Sequence, residues 1–178
     1  GGRMDYEMLK YFTEFWCSDD TDPYERIYIQ WSLSKFFPAK TMGSHVTKWN
    51  KNTSVKFRTD VCSSCKLGFD IDLKSLSADD YKFVQQAVKN YNDMKSMILE
   101  GDQYRLVSPY EGSHCAVNYV SKDKQRAVLF AYDLHPRYKE PQMNVKLQGL
   151  DANKMYTVKE TNLMPGKTSE LECDGKQY

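Results

Sequence analysis

Between residues 23 and 33 the apolar side chains recur as Tyr24, Ile27, Tyr28 and Trp31, the 3.6-residue stripe of a helix with one buried face, and Pro38 closes the segment. Asp22 precedes Pro23 and stands three residues before Glu25. That order predicts Asp22 as N-cap, Pro23 as first helical residue and Glu25 as reciprocal partner in a capping box. A second stripe, Tyr81, Val84, Val88, Tyr91 and Ile98, predicts a longer helix capped by Ser77 and stopped by Gly101. Shorter helices are predicted over 4–12, where Met8, Leu9, Tyr11 and Phe12 surround Lys10, and within 54–64. Apolar runs at 13–17, 41–46 and 67–73 read as strands, with polar loop at 48–52. Strand alternating with helix is the grammar of a parallel βα layer.

After Asp102 the pattern changes. Alternating runs at 104–107, 115–120, 127–132, 143–147 and 155–160 are separated by turn clusters such as Glu111-Gly112-Ser113 and Ser121-Lys122-Asp123-Lys124. Strands at that spacing, with no helix between them, predict an antiparallel sheet or sandwich. The fold class is therefore α/β plus all-β, with a domain boundary near residue 101. No internal repeat or low-complexity tract interrupts either part.

Charge narrows the partners. With 25 basic and 24 acidic residues in 178, the net charge of +1 gives no electrostatic case for nucleic acid or an anionic membrane. No apolar run approaches the ~20 residues of a spanning helix. Of five cysteines only Cys62 and Cys65 are close, which points to reduced thiols and a cytoplasmic protein. That Cys-x-x-Cys pair has no second pair to complete a zinc ribbon, so no metal is expected. Aromatic residues make up 13 % of the chain, which fits either a bulky core or the stacking of rings on sugars.

The candidate chemistry lies in Phe15-Trp16-Cys17-Ser18-Asp19-Asp20-Thr21-Asp22-Pro23. The following helix accounts for Asp22 and leaves Asp19 and Asp20 with no helix end to satisfy. A loop between a strand's C-terminal end and the next helix is where α/β barrels place their chemistry. On these residues alone, a solvated acidic turn remains the alternative.

The motif Trp16-x-Ser18-Asp19-x-Thr21-Asp22 is followed by a helix with Arg26 and Ile29-Gln30-Trp31, then Phe37-Pro38-Ala39 and Met42-Gly43-Ser44-His45-Val46. Further on come Lys56-Phe57-Arg58-x-Asp60-Val61, Leu67-Gly68, Gly101-Asp102-x-Tyr104-Arg105-Leu106, Ser108-Pro109-Tyr110 and Asn162-Leu163-Met164-Pro165-Gly166. In order and spacing this set resembles glycoside hydrolase family 36, the larger microbial α-galactosidases. The resemblance implies that 1–101 are the last three βα units of a TIM (β/α)8 barrel, strands six to eight. Residues 102–178 would be a truncated antiparallel β-sandwich domain. A whole barrel takes ~250 residues, so the chain would be partial.

The resemblance also implies roles. Asp19 takes the place of the general acid/base; beside what the resemblance implies, Trp16, three residues earlier, is read as an apolar wall for that carboxyl and as a substrate-binding residue. The family usually has Asn where this chain has Asp20. Gly1-Gly2-Arg3 resembles the end of the Cys-x-x-Gly-Gly-Gly-Arg loop, giving Gly1 and Gly2 a substrate-binding role. His45 falls at the mouth of the seventh strand, where it either reaches the pocket or, the preferred reading, is a structural histidine, and Arg58 with Asp60 reads as a structural charge pair. The family nucleophile is an Asp in a Lys-(Trp/Tyr)-Asp-x-Asn motif, which does not occur in these residues. The implied activity is retaining hydrolysis of α-galactoside oligosaccharides, without a cofactor, by a homo-oligomer, and the chain alone would be inactive. The alternatives are an α-N-acetylgalactosaminidase, a galactosyl-transferring relative, or a non-catalytic carbohydrate-binding or assembly module in the β part.

Overall fold

A computed structural model describes residues 4–50, 52–140 and 143–169. Three short strands, β1 (Phe15–Trp16), β2 (Met42–Thr47) and β3 (Lys66–Asp70), form a parallel sheet in the order β1-β2-β3. Two helices make the crossovers, α1 (Pro23–Leu33) and α2 (Val55–Cys62). Each is started by a side chain. Asp22 accepts from the amides of Tyr24 and Glu25 at 2.9 and 3.3 Å, and Ser54 accepts from Phe57 at 3.1 Å. Satisfying these otherwise orphaned amides fixes where each helix begins.

One face of the sheet meets the helices. Buried Cys17, Met42, Ser44 and Val46 point to it, and a buried amide ties the layers together. Gln30 of α1 accepts from Ser44 Oγ at 2.7 Å and donates to Val61 O at 3.1 Å and Ser64 Oγ at 2.9 Å. Side chains alternate along a strand, and the register sets Trp16 beside Gly43 and His45 beside Gly68. Those four residues share the opposite face, which is open.

The long helix α3 (Ala78–Glu100) leads into β4 (Asp102–Val107), β5 (His114–Val120) and β6 (Ala127–Asp133), an antiparallel sheet in the order β4-β5-β6. This sheet is not a separate core. Ile27, Trp31 and Val61 from α1 and α2 pack with Met97 and Ile98 of α3 and with Val117, Tyr119, Phe130 and Tyr132 of the strands. Hydrogen bonds cross the same boundary: Tyr119 Oη to Ser64 O at 2.8 Å, Tyr132 Oη to Asp60 O at 3.3 Å, and Arg105 Nη1 to Ser34 O at 3.1 Å. Six successive residues of β5, Cys115 to Val120, are buried, so neither face of the central strand is exposed. Among the described residues, no helix is long and apolar enough to cross a membrane.

Several expectations are corrected. The reciprocal half of the α1 capping box is not made by Glu25: the Asp22 amide donates to Asp20 Oδ1 at 3.0 Å. The runs at 143–147 and 155–160 are coil. Their alternation is not taken up by the sheet, whose order β4-β5-β6 includes neither run. Met155 is 86 % exposed, and the coil is held by side-chain anchors such as Asn118 Nδ2 to Gln148 O and Tyr156 Oη to Lys124 O. The described β part is therefore one three-stranded sheet. Residues 4–12 form only a 3-10 turn at Met8–Lys10, with Tyr11 and Phe12 exposed. In α3 the buried positions are Phe83, Val84, Met97 and Ile98, while Tyr81 and Val88 stay exposed.

Gly101 is where the two parts press hardest on each other. A Cβ there would lie 2.3 Å from Met97 O and 2.6 Å from Val120 O, both backbone atoms that cannot swing aside. Gly101→Ala is therefore expected to destabilise the protein by about 1–3 kcal/mol, read as a lower unfolding midpoint. Gly112→Ala, which meets nothing within 4 Å, is the control and should shift stability by no more than about 0.5 kcal/mol.

Candidate active site

Asp19 follows β1 by three residues, at the C-terminal rim of the parallel sheet. The loop that carries it is wound by its own side chains. The Asp20 amide donates to Ser18 Oγ at 3.1 Å, Asp20 Oδ1 accepts from the Asp22 amide, and Asp22 caps α1. Two of the three carboxylates are thus spent on backbone amides, the usual work of Asp in turns. Asp19 is exposed, and its Oδ1 accepts from Trp16 Nε1 at 3.1 Å.

Trp16 is held from two sides. The Arg26 guanidinium carbon sits 4.7 Å from the centre of its ring, and His45 meets it edge-on with centroids 4.7 Å apart. His45 in turn lies across the third strand: a Cβ on Gly68 would be 2.2 Å from its Cδ2. Gly68 is needed for that approach, not for an unusual backbone. The result is an aromatic floor of Trp16 and His45 on the open face beside Asp19. A side-chain bond of 2.8 Å between Thr21 Oγ1 and Thr47 Oγ1 ties the loop to the end of β2, and Asn50 Nδ2 donates to Thr21 Oγ1 at 3.0 Å. On this second loop Trp49 is 62 % exposed. Two grooves elsewhere, of about 290 and 490 Å³, lie between α1 and β4 and along β3 and α3, and Asp19 lines neither.

Among the described residues the thiols are buried and not placed to act as nucleophiles. Cys17, Cys62, Cys65 and Cys115 are free and buried. Burial pushes the Cys17 thiol up to about 11, partly opposed by the nearby Arg26 charge, and raises Cys62 to about 11. Both are neutral thiols near pH 7, whereas attack needs the thiolate. Among the described residues, no cluster of His, Cys, Asp or Glu is arranged to hold a metal ion.

Of the residues singled out in the sequence, the structure brings Trp16 and Asp19 into direct contact. Gly1 and Gly2 lie outside the described residues. His45 is exposed on the open face, not buried in a core. Arg58 and Asp60 do not pair: Asp60 takes Lys56 at 2.6 Å and Asn162 at 2.8 Å, and Arg58 Nη1 donates to Thr47 O at 2.6 Å. Burial raises the Asp60 pKa, with Lys56 acting against it. Arg26 was visible as part of a motif, but its contact with Trp16 is not readable from spacing.

The family model of melibiase matches residues 1–101. The chain belongs to the melibiase family. The model of the glycosyl hydrolase family 36 C-terminal domain matches residues 114–178. A probable α-galactosidase G of Aspergillus terreus is 34 % identical over 164 residues, covering 89 % of this chain and 23 % of that protein. Among solved structures, a variant of the family 36 α-galactosidase AgaA of Geobacillus stearothermophilus in complex with stachyose superposes with TM-score 0.82 at 33 % identity. It covers 86 % of this chain and 22 % of AgaA. Another AgaA variant, in complex with raffinose, gives TM-score 0.78 at 31 % identity, covering 82 % and 21 %. The chain thus spans less than a quarter of the length of these relatives.

The division of labour among the carboxylates is testable. Asp20→Asn keeps the Oδ1 acceptor and should change stability by less than about 0.5 kcal/mol, whereas Asp20→Ala frees the Asp22 amide and should cost about 1 kcal/mol. Denaturant midpoints would show the difference. Equal losses from both changes would mean that the Asp20 charge, not its turn, matters.

Proposed function

We propose that the protein carrying this segment is a retaining α-galactosidase that removes terminal α-D-galactosyl residues from raffinose-type oligosaccharides, with Asp19 as general acid/base. The carrying observation is the Trp16 Nε1 to Asp19 Oδ1 bond of 3.1 Å on the open face. Family 36 membership and the AgaA complexes with stachyose and raffinose support the substrate class. Residues 1–101 are read as the C-terminal portion of a (β/α)8 barrel, supported by the parallel register with helices on one face. Residues 102–178 are read as a sandwich-type C-terminal β domain, supported by the antiparallel sheet. A carbohydrate-binding module in the β part alone is less favoured, because its central strand is buried on both sides.

In a retaining mechanism one carboxylate attacks the anomeric carbon while the other protonates the departing oxygen, and the two lie about 5–5.5 Å apart. Asp19 supplies the proton in the first step. In the second it takes one from water as the water opens the glycosyl ester, and so regains its starting state. The indole N–H orients the carboxyl, and the Trp16–His45 floor offers the apolar contact that a pyranose face needs. Asp20 and Asp22 are committed to the turn and the cap. The attacking carboxylate is assigned to an Asp outside these residues, so this chain alone is expected to be inactive.

Two experiments test the assignment. Asp19→Asn in the full-length enzyme should lower kcat/KM for raffinose by about 10²–10⁴, the usual worth of general acid help, and far less for aryl galactosides with acidic phenol leaving groups. Equal losses on both would remove the proton-donor role. A mechanism-based galactose analogue that traps the glycosyl-enzyme should label the full-length enzyme outside these residues and leave the present chain unmodified by intact mass. Labelling of Asp19 would reverse the roles.

A further inference from the structure

We infer that Arg26 is the positioning residue for Asp19, acting on it through the backbone and through Trp16 together; this rests on the α-galactosidase reading above. Arg26 is 1 % exposed, in the first turns of the helix that Asp22 caps. Its Nη2 donates to the Ser18 carbonyl at 2.7 Å. That carbonyl belongs to the peptide whose nitrogen is Asp19's own, so the bond fixes the plane from which Asp19 leaves the chain. The central carbon of the same guanidinium lies over the Trp16 ring, 4.7 Å from its centre, and the Trp16 N–H holds the Asp19 carboxylate. One cation therefore restrains the catalytic group at both ends.

The chemistry asks for arginine. A planar, delocalised cation can donate in its plane and stack with its face, whereas an ammonium is a point charge that cannot do both. Stability alone is a poor account of the residue. Burying a charge costs several kcal/mol unless its donors are paired, and Arg26 Nε and Nη1 make no well-formed hydrogen bond among the described residues, with the weakly accepting Cys17 thiol beside the guanidinium. An apolar side chain would fill the space with no such cost.

The neighbouring βα unit carries a natural control. Arg58 is also the fourth residue of its helix, after the Ser54 cap, and is 8 % exposed. Its Nη1 donates to the Thr47 carbonyl at 2.6 Å, and its Nε has no partner among the described residues. The backbone device is the same. The segment that follows, Thr47-Lys48-Trp49-Asn50, contains no carboxylate. Arg58 thus shares the structural duty of Arg26 without the catalytic one.

The test uses the full-length enzyme with Arg26→Lys, Arg58→Lys and Asp19→Asn, a series of aryl α-galactosides of increasing phenol pKa, and raffinose. The readout is kcat/KM, which reports the glycosylation step, together with the thermal midpoint. Arg26→Lys should lose about 10- to 100-fold on poor leaving groups, the scale of a misplaced catalytic group, and little on activated ones. Arg58→Lys should lower the midpoint without changing the dependence on leaving group. A uniform loss across the series for Arg26→Lys, or the same steepening in Arg58→Lys, would overturn the inference. If Arg26→Lys does not fold, Trp16→Phe keeps a ring under the guanidinium and removes the N–H. It should show the same steepening, and a flat response would overturn the inference as well. A flat Asp19→Asn profile would instead overturn the proton-donor reading itself.

Discussion

The side-chain amide of Gln30 is the constraint on which the rest of the structure hangs. It accepts from Ser44 in the central strand and donates to Val61 and Ser64 at the end of α2, all buried. Ser64 then accepts from Tyr119 of the antiparallel sheet through its backbone carbonyl. Leaving one such buried group without a partner costs about 1–3 kcal/mol, so the set holds or fails together. A one-residue slip of β2 would turn Ser44 away from Gln30 and carry His45 off the open face, because side chains alternate along a strand. The bonds that fix the core thereby decide which residues stand beside Asp19.

The acidic loop shows how a short segment can hold several carboxylates and give each a different partner. Asp22 is used by the helix start and Asp20 by the amide of Asp22. Both positions need an acceptor oxygen rather than a charge, which is why an amide side chain at position 20 would serve as well. Asp19 projects from the same loop with its carboxylate on an indole N–H. The loop's own side chains restrain its backbone, which is what the proton-donor role proposed for Asp19 would require of its support.

Local chemistry was the legible part of the sequence. Caps and turns depend on neighbours in the chain, so Asp22, Pro23, Ser77 and the strand–helix alternation were readable. Partnership at a distance was not. Asp20 and Glu25 are both placed to answer the Asp22 cap, and only the path of the loop shows that Asp20 does. The runs at 143–147 and 155–160 alternate like strands but are coil held by side-chain bonds, because alternation measures fit to a half-buried surface and not pairing itself. Arg26 and Gln30 are polar residues on the buried side of α1, and nothing in periodicity distinguishes them from a solvated face.

The two parts of the chain meet in one core, which gives the antiparallel sheet a bearing on the site although it lies behind it. Phe130, Tyr119 and Tyr132 press on the helices from outside, while Ile27 and Trp31 share that core from α1. The same helix carries Arg26 inward to Ser18 and Trp16. A helix free to rock on the parallel sheet would move the guanidinium, and with it both restraints on Asp19. Because interiors are close-packed, with few voids larger than a water molecule, a layer of aromatic side chains behind α1 removes that freedom. The β part thus serves the site by immobilising the helix that holds it.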